Sequence, residues 1–404
     1  MRHFIAILLL LLLFSCGKDT EVIKAGPWRA TLLLDDEKEI PFLLELNSDT
    51  TMTFINAEER IDITDVKLKN DSIIIQHPVF EGVIKGTFTK DSIGGVFLQP
   101  NRNRSIPITM QFGRKPRFHI DEAPSTIVTG TWETVFSPNN PSEKYLAKGV
   151  FKQRGNRVTG TFQTTTGDYR YLDGIIENDS LKLSTFDGAH AFLFEGQVKE
   201  NDSVIEGMFY SGNHWKERFE AKRNEAYELP EADTLVALKK EYDSIHFAFP
   251  TLKGDTLRFD DPYFKDKVTL VQLMGSWCPN CLDETRYLVD FYDTQDEDKL
   301  AIVALAFEYA PTEEKAIASL EKLKKAVGIP YPILLAQVGS DSKQRAHEKL
   351  PMLTDVKSYP TLIFVDKQGK VRKIHSGFNG PATGEKYQAF QKEFEANVEA
   401  LLSE

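Results

Sequence analysis

Across residues 28–223 the apolar positions fall in short stretches of β-branched and aromatic residues separated by turn residues, as in Asp71-Ser72-Ile73-Ile74-Ile75 and Val158-Thr159-Gly160-Thr161-Phe162. That pattern predicts an all-β antiparallel region. The Asn-Asp-Ser triplets beginning at Asn70, Asn178 and Asn201 suit tight turns, because Asn and Asp tolerate left-handed backbone and bond their own main chain. From Phe249 onward the pattern changes. Apolar runs at 268–273, 300–307, 331–335, 361–365 and 371–374 predict strands, and segments 283–292, 311–327 and 384–402 predict helices. In the second of these helices Ile317, Leu320 and Leu323 share one face. Buried strands with crossover helices imply a sheet covered on both faces, part parallel and part antiparallel. Between the two regions, 225–242 is charged and helix-compatible with Pro230 near its start, and predicts a linker helix.

The β region carries a repeat. Gly26-Pro27-Trp28 and Gly130-Thr131-Trp132 each open a unit that then reaches an Asn-Asp-Ser turn, a Phe-Glu-Gly (Phe80-Glu81-Gly82, Phe194-Glu195-Gly196) and a Gly-x-Phe (Gly95-Val96-Phe97, Gly207-Met208-Phe209). Two related antiparallel units, each barrel-like or sandwich-like, follow from this order, with 116–126 as their connection. The alternative is chance similarity between two meanders. Trp28 and Trp132, at equivalent places, are expected in the two cores.

A chain of 404 residues exceeds one ordinary core, and a formal net charge of -11 with no basic stripe excludes a nucleic-acid-binding surface. At the N-terminus, Arg2 and His3 precede an apolar run over 4–14 that is too short to span a bilayer. A basic start followed by a short apolar stretch describes a secretory signal. Its end, Leu13-Phe14-Ser15-Cys16, resembles a bacterial lipobox. The resemblance implies cleavage before Cys16, lipidation of that cysteine and a lipid anchor in the cell envelope, with the outer membrane facing the periplasm favoured because Gly17 is not the retaining Asp. The alternative is an unlipidated signal with a chance cysteine.

Only three cysteines exist, and with Cys16 taken by lipid the other two, Cys278 and Cys281, are left to pair with each other in a compartment where disulfides form. Cys278-Pro279-Asn280-Cys281 follows a predicted strand and opens a predicted helix. Unpaired amides and the positive end of the dipole stabilise a thiolate there, and can lower a thiol pKa from about 8.5 to roughly 3.5–7.5. Cys278 is then the exposed attacking thiolate and Cys281 the shielded resolving thiol. A static disulfide is the first alternative, but so short a loop removes little chain entropy. Half a zinc site is the second; no other cysteine pair or histidine pair at ligand spacing completes it, so no metal is expected.

The run Leu270-Val271-Gln272-Leu273-Met274-Gly275-Ser276-Trp277-Cys278-Pro279-Asn280-Cys281-Leu282-Asp283-Glu284 resembles the active-site segment of TlpA/ResA-type thioredoxin-like proteins. Val356-Lys357-Ser358-Tyr359-Pro360-Thr361-Leu362-Ile363-Phe364-Val365-Asp366, followed by Gly369, resembles their second signature, and Pro250 and Gly254 fit their entry segment. The resemblance covers residues 248–404 and not the β units. It implies that Trp277 packs beside the disulfide, that Pro360 is a cis proline facing it, and that the backbone of Tyr359 pairs with substrate. Glu284 matches the family's acidic residue one turn after the second cysteine and could take the proton of Cys281; a first-turn acid that merely suits the helix dipole is the alternative, and Asp283 reads as that. Arg286 stands where the family often has proline, and Asn280 occupies a slot that tunes redox potential. The segment 376–384 reads as a turn and helix start, or as a loop bordering the site.

The resulting fold class is multidomain: N-terminal all-β antiparallel repeat units and a C-terminal α/β thioredoxin-like domain. The expected divisions are a signal peptide (1–15), a lipidated tether (16–25), β units over 26–120 and 126–224, a linker helix (225–247) and the thioredoxin-like domain (248–404). The expected function is a membrane-anchored, extracytoplasmic thiol–disulfide oxidoreductase without cofactor beyond its own Cys278–Cys281 pair. It would reduce or exchange protein disulfides and receive electrons from an upstream thiol–disulfide donor. One competing reading makes the β units a ligand- or partner-binding surface with an accessory redox domain. Another, a thiol peroxidase, wants Thr or Ser where Gly275 stands.

Overall fold

The computed structural model describes residues 22–47, 51–199, 201 and 203–404. The signal-peptide segment and Cys16 lie outside the described residues. Among those described, no helix is long and apolar enough to cross a membrane.

The first nine strands, Gly26–Leu33 to Arg104–Phe112, form one antiparallel meander whose last strand pairs back onto its first, Trp28 opposite Phe112. Its two outermost strands are Glu59–Ile63 and Asp65–Lys69. The second sheet closes fully. Gly130–Phe136 pairs with both Tyr145–Arg154 and Trp215–Arg223, and Tyr145–Arg154 pairs on to Arg157–Thr164. The ring is completed through Leu172–Glu177, Ser180–Phe186, Ala191–Lys199 and Val204–Ser211. Closure leaves the ring's backbone groups without an open edge. A two-residue strand, Gly167–Asp168, folds back on the end of Arg157–Thr164 and makes a protruding tip.

Local chemistry matches the turns and entries. Asn70, Asn178 and Asn201 all have left-handed φ, at 56°, 50° and 52°. Trp28 and Trp132 are both fully buried, and each indole N–H donates to a carbonyl four residues upstream, on Lys24 (3.0 Å) and Val128 (2.9 Å). The Gly-x-Phe triplets sit mid-strand in both sheets. The Phe-Glu-Gly triplets do not correspond: 80–82 is a loop before a strand, whereas 194–196 lies inside Ala191–Lys199. The two cores meet where Phe186 of the second sheet stacks on Phe42 of the first, ring centres 4.4 Å apart. The connection adds Arg117, which is buried and donates to the carbonyls of Pro41 and Ile55 and to Ser184.

The expected linker helix over 225–247 is absent; only a 3-10 turn, Ala232–Thr234, forms there. The chain spends its hydrogen bonds elsewhere. Lys239 donates to the Met352 carbonyl, the amide of Thr354 donates to the carbonyl of Ala237, and Val236 is buried against the C-terminal core. Pro230 removes a donor, and tertiary pairing overrides a helix propensity that was only permissive.

The C-terminal region holds a five-stranded sheet in the order Ile333–Gln337, Leu300–Phe307, Val268–Met274, Thr361–Val365, Val371–Ser376. The first three strands are parallel and the last two antiparallel to their neighbours. Every residue of the three middle strands is buried, as a doubly covered sheet requires. Four helices accompany it: α1 (Pro279–Tyr292), α2 (Glu313–Val327), α3 (Lys343–Lys349) and α4 (Glu385–Ser403). Helix α3 has too short and polar a pattern to announce itself in the sequence.

Candidate active site

The central strand Val268–Met274 delivers the chain to Cys278, which is the N-cap residue of α1. Pro279 occupies the first helical position, where its missing N–H costs nothing. Cys278 and Cys281 are disulfide-bonded with Cα atoms 5.2 Å apart, and the Cys281 amide donates to Cys278 Sγ at 3.2 Å. The helix end therefore offers an orphan amide to the outer sulfur, the arrangement that favours a thiolate there. Cys278 Sγ lies 3.5 Å from the Tyr359 carbonyl oxygen, and the Tyr359–Pro360 bond is cis. Trp277 stands beside them, edge-on to the Tyr359 ring with centroids 5.8 Å apart, its indole N–H donating to the Phe307 carbonyl.

Two buried carboxyl groups belong to the elements that carry the Cys278–Cys281 segment, Glu284 on α1 and Glu308 at the end of Leu300–Phe307. Glu284 is fully buried; Gln272 Nε2 donates to its Oε2 at 2.8 Å, while its Oε1 has no partner among the described residues. Burial raises its pKa to about 8, only partly offset by the Gln272 hydrogen bond. Glu308 receives the Ser276 amide (2.7 Å) and hydroxyl (2.8 Å), and burial raises it to about 7. It fixes the residue before Trp277 and was not visible as a site residue in the sequence.

Cys278 is not exposed as expected: only 7% of it reaches solvent, and Cys281 is fully buried. Tyr359 and Cys281 flank its sulfur, and the β region closes in beside them. The tip at 164–168 of the second sheet rests on the start of α1, so that a side chain on Gly167 would fall on the Asn280 amide. The same tip packs on the 376–384 loop: Asp168 accepts a 2.6 Å hydrogen bond from the Gly380 amide, and Gly377 passes against the Thr166 backbone. This loop borders the site.

Asp283 does more than suit the helix dipole. It ion-pairs in a buried position with Arg170, which also reaches Glu59 of the first sheet (2.8 Å) and Asp187 of the second (3.6 Å). Burial opposes the Arg170 charge, and the surrounding carboxylates hold its pKa well above the ordinary value. On the opposite flank, Tyr309 donates to Glu81 (2.6 Å), Lys322 donates to the Phe80 carbonyl (2.7 Å), and Arg102 lies over the Tyr309 ring at 3.9 Å while pairing with Asp341. None of these cross-region partners had a local signal in the sequence. Among the described residues no cluster of His, Cys, Asp and Glu could hold a metal ion.

Residues 243–374 match the AhpC/TSA family model. Thioredoxin-like protein YneN of Bacillus subtilis is 26% identical over 142 residues, 35% of this chain and 74% of that protein. Thiol-disulfide oxidoreductase ResA of Geobacillus kaustophilus is 27% identical over 131 residues, 32% of this chain and 66% of that one. The C-terminal segment is a thioredoxin-like domain of the TlpA/ResA type. Solved structures similar to it include a thioredoxin-family thiol:disulfide interchange protein of Chlorobium tepidum, 18% identical, covering 41% of this chain and 99% of that one with a TM-score of 0.29. A thiol-disulfide oxidoreductase of Bacteroides fragilis is likewise 18% identical, covering 37% and 99% with a TM-score of 0.27. The matched part spans about two thirds to three quarters of the curated relatives' length, and the β region lies outside the family match.

Proposed function

We propose that this chain is an envelope thiol–disulfide oxidoreductase that reduces or exchanges protein disulfides through a mixed disulfide at Cys278. One observation carries the reading: the sulfur of Cys278 meets the Cys281 amide at the start of α1 on one side and the Tyr359–Pro360 backbone on the other. In the reduced protein the Cys278 thiolate attacks a substrate disulfide, forming a Cys278–substrate bond and releasing the substrate's other sulfur as a thiolate. Cys281 then attacks Cys278 Sγ, expelling the second substrate thiolate and regenerating the Cys278–Cys281 disulfide. Two electrons have passed to the substrate. An upstream dithiol donor returns two electrons to the disulfide.

Glu284 serves as the base for the second step, one helical turn beyond Cys281. Burial lifts its pKa to about 8, so its carboxylate form is a stronger base toward the buried Cys281 thiol than an ordinary glutamate, and that form gains population as pH rises. Trp277 shields the disulfide, and the backbone of Tyr359 pairs with the substrate chain before Pro360. The lipid anchor at Cys16 would tether this chemistry to the membrane, facing the periplasm. A peroxidase reading is disfavoured by Gly275, since a Cβ there would run into the Trp277 indole and leaves no room for a Thr or Ser.

The test is a Cys281→Ser variant in the full chain, incubated with envelope proteins, together with the reduction potential of the wild-type pair. Substrates trapped on Cys278 and a potential well below that of the periplasmic oxidants are expected. A Cys278–Cys281 pair that never cycles with dithiols or disulfides sinks the proposal.

A further inference from the structure

A cavity of about 430 Å³ is lined by Arg102 and Arg104 of the first β unit and by Phe209, His214 and Trp215 of the second, with Tyr309 of the C-terminal domain also on its wall; neither cysteine of the redox pair lines it. In a chain with a formal net charge of -11, two arginines in one cavity ask for a reason. The two carboxylates on the wall are already engaged. Glu81 accepts from the Tyr309 hydroxyl (2.6 Å) and the Asn101 amide (2.8 Å). Glu217 accepts from the hydroxyls of Ser137 (2.5 Å) and Tyr145 (2.8 Å) and from the Trp215 indole N–H (3.1 Å).

The two arginines differ. Arg102 pairs with Asp341 at 2.9 Å and lies over the Tyr309 ring at 3.9 Å. Arg104 is half-buried, and among the described residues its guanidinium has neither a hydrogen bond nor an ion pair. Burial and the neighbouring Arg102 lower its pKa, and the groups whose charges act on it include Arg102, Tyr309 and Glu81, all on the wall of this cavity. Burial and the same two arginines push His214 down to about 4, so it is neutral near pH 7. Arg104 is thus a partly desolvated cation without a partner, which an anion completes. One free cation calls for one negative charge and not for a polyanion.

The aromatic part of the wall sets the rest of the ligand. Phe209 is buried, whereas Trp215 is 41% exposed although Glu217 holds its indole N–H. A fixed, exposed tryptophan in a concavity gains when a flat apolar body covers it. We infer that this cavity is a binding site for a small organic monoanion, a carboxylate on an aromatic body, with Arg104 holding the carboxylate and Trp215 the ring. An inorganic anion would leave Trp215 uncovered, and a cationic ligand would be repelled by Arg104. The site goes beyond the redox reading, because its binding groups come from the β units and it uses no thiol.

The experiment titrates the full-length oxidised protein calorimetrically with 2-naphthoate, with its uncharged counterpart 2-naphthamide and with acetate. One 2-naphthoate per chain should bind, about tenfold or more tighter than either of the other two probes. Arg104→Gln should weaken 2-naphthoate about tenfold or more and leave 2-naphthamide within about twofold, as the loss of a charged hydrogen-bond donor implies. Arg104→Lys, which keeps the charge and loses the planar fork, should retain part of the 2-naphthoate affinity. Trp215→Ala should weaken both aromatic probes about fivefold. Equal wild-type affinities for 2-naphthoate and 2-naphthamide overturn the inference, as does no detectable binding of 2-naphthoate or an affinity that Arg104→Gln leaves unchanged. The wild-type comparison decides the matter even where a variant fails to fold.

Discussion

Arg170 and Asp283, 113 positions apart in the chain, form a buried ion pair that fastens the second β sheet to the second turn of helix α1, two residues beyond Cys281. The guanidinium also holds Glu59 of the first sheet, so one side chain joins all three parts of the protein. Breaking such a buried pair from one side typically costs about 3–5 kcal/mol, because the abandoned carboxylates stay out of water. Arg170→Met should therefore lower stability by about that amount. Arg170→Lys should recover only part of it, since an ammonium cannot address several carboxylates with a planar fork. Chemical denaturation of the three proteins measures this, and a change below about 1 kcal/mol for Arg170→Met would show that the junction does not depend on the pair.

The buried carboxyl of Glu284 makes stability depend on pH in a stated direction. Its pKa rises from 4.5 in the unfolded reference to about 8 in the folded protein. Between those values the native state keeps a proton that the unfolded chain has released, so stability falls as pH rises through the window. Glu308, raised from 4.5 to about 7, acts with the same sign. The denaturation midpoint of the oxidised protein should drop from pH 5.5 to pH 8, and Glu284→Gln should flatten that slope. An unchanged slope in the variant would mean that Glu284 is ionised in the fold.

Gly377 and Gly339 offer a matched pair of substitutions. Both have positive φ, 88° and 74°, but a Cβ on Gly377 would strike the Thr166 backbone whereas one on Gly339 meets nothing within 4 Å. Gly339→Ala should cost about 1 kcal/mol, the price of a left-handed alanine. Gly377→Ala should cost more, about 2 kcal/mol or above, and should raise the reactivity of Cys278 toward a bulky thiol reagent as the tip is pushed off the site. Equal melting shifts for the two variants would show that the tip yields without cost.

Much of the C-terminal site was legible because its signals are local. A buried apolar run, a Cys-Pro-Asn-Cys at the helix start and a Tyr359-Pro360 before another apolar run each lie within a few residues of one another in sequence. The turns of the β region were legible for the same reason, with Asn70, Asn178 and Asn201 in left-handed backbone. What could not be read depends on long-range pairing. Asp283 looks like any first-turn acid until Arg170 is placed beside it, and 225–247 looks helical until Met352 and Thr354 claim its backbone. The low exposure of Cys278 could not be read because the Tyr359 carbonyl against its sulfur comes from 81 positions downstream, and the hairpin that meets Asn280 from more than a hundred upstream.

The second sheet is a closed ring, and the tip that touches Asn280 grows out of one of its strands. A strand in a closed ring is held by hydrogen bonds along both flanks, so it cannot swing outward as a lone hairpin on an open sheet can. The ring-held strand Arg157–Thr164 therefore sets where the tip stands, while Gly167–Asp168, paired on one flank only, is the part that can yield. Movement beside Cys278 is thus confined to those few residues, with the barrel behind them staying in place.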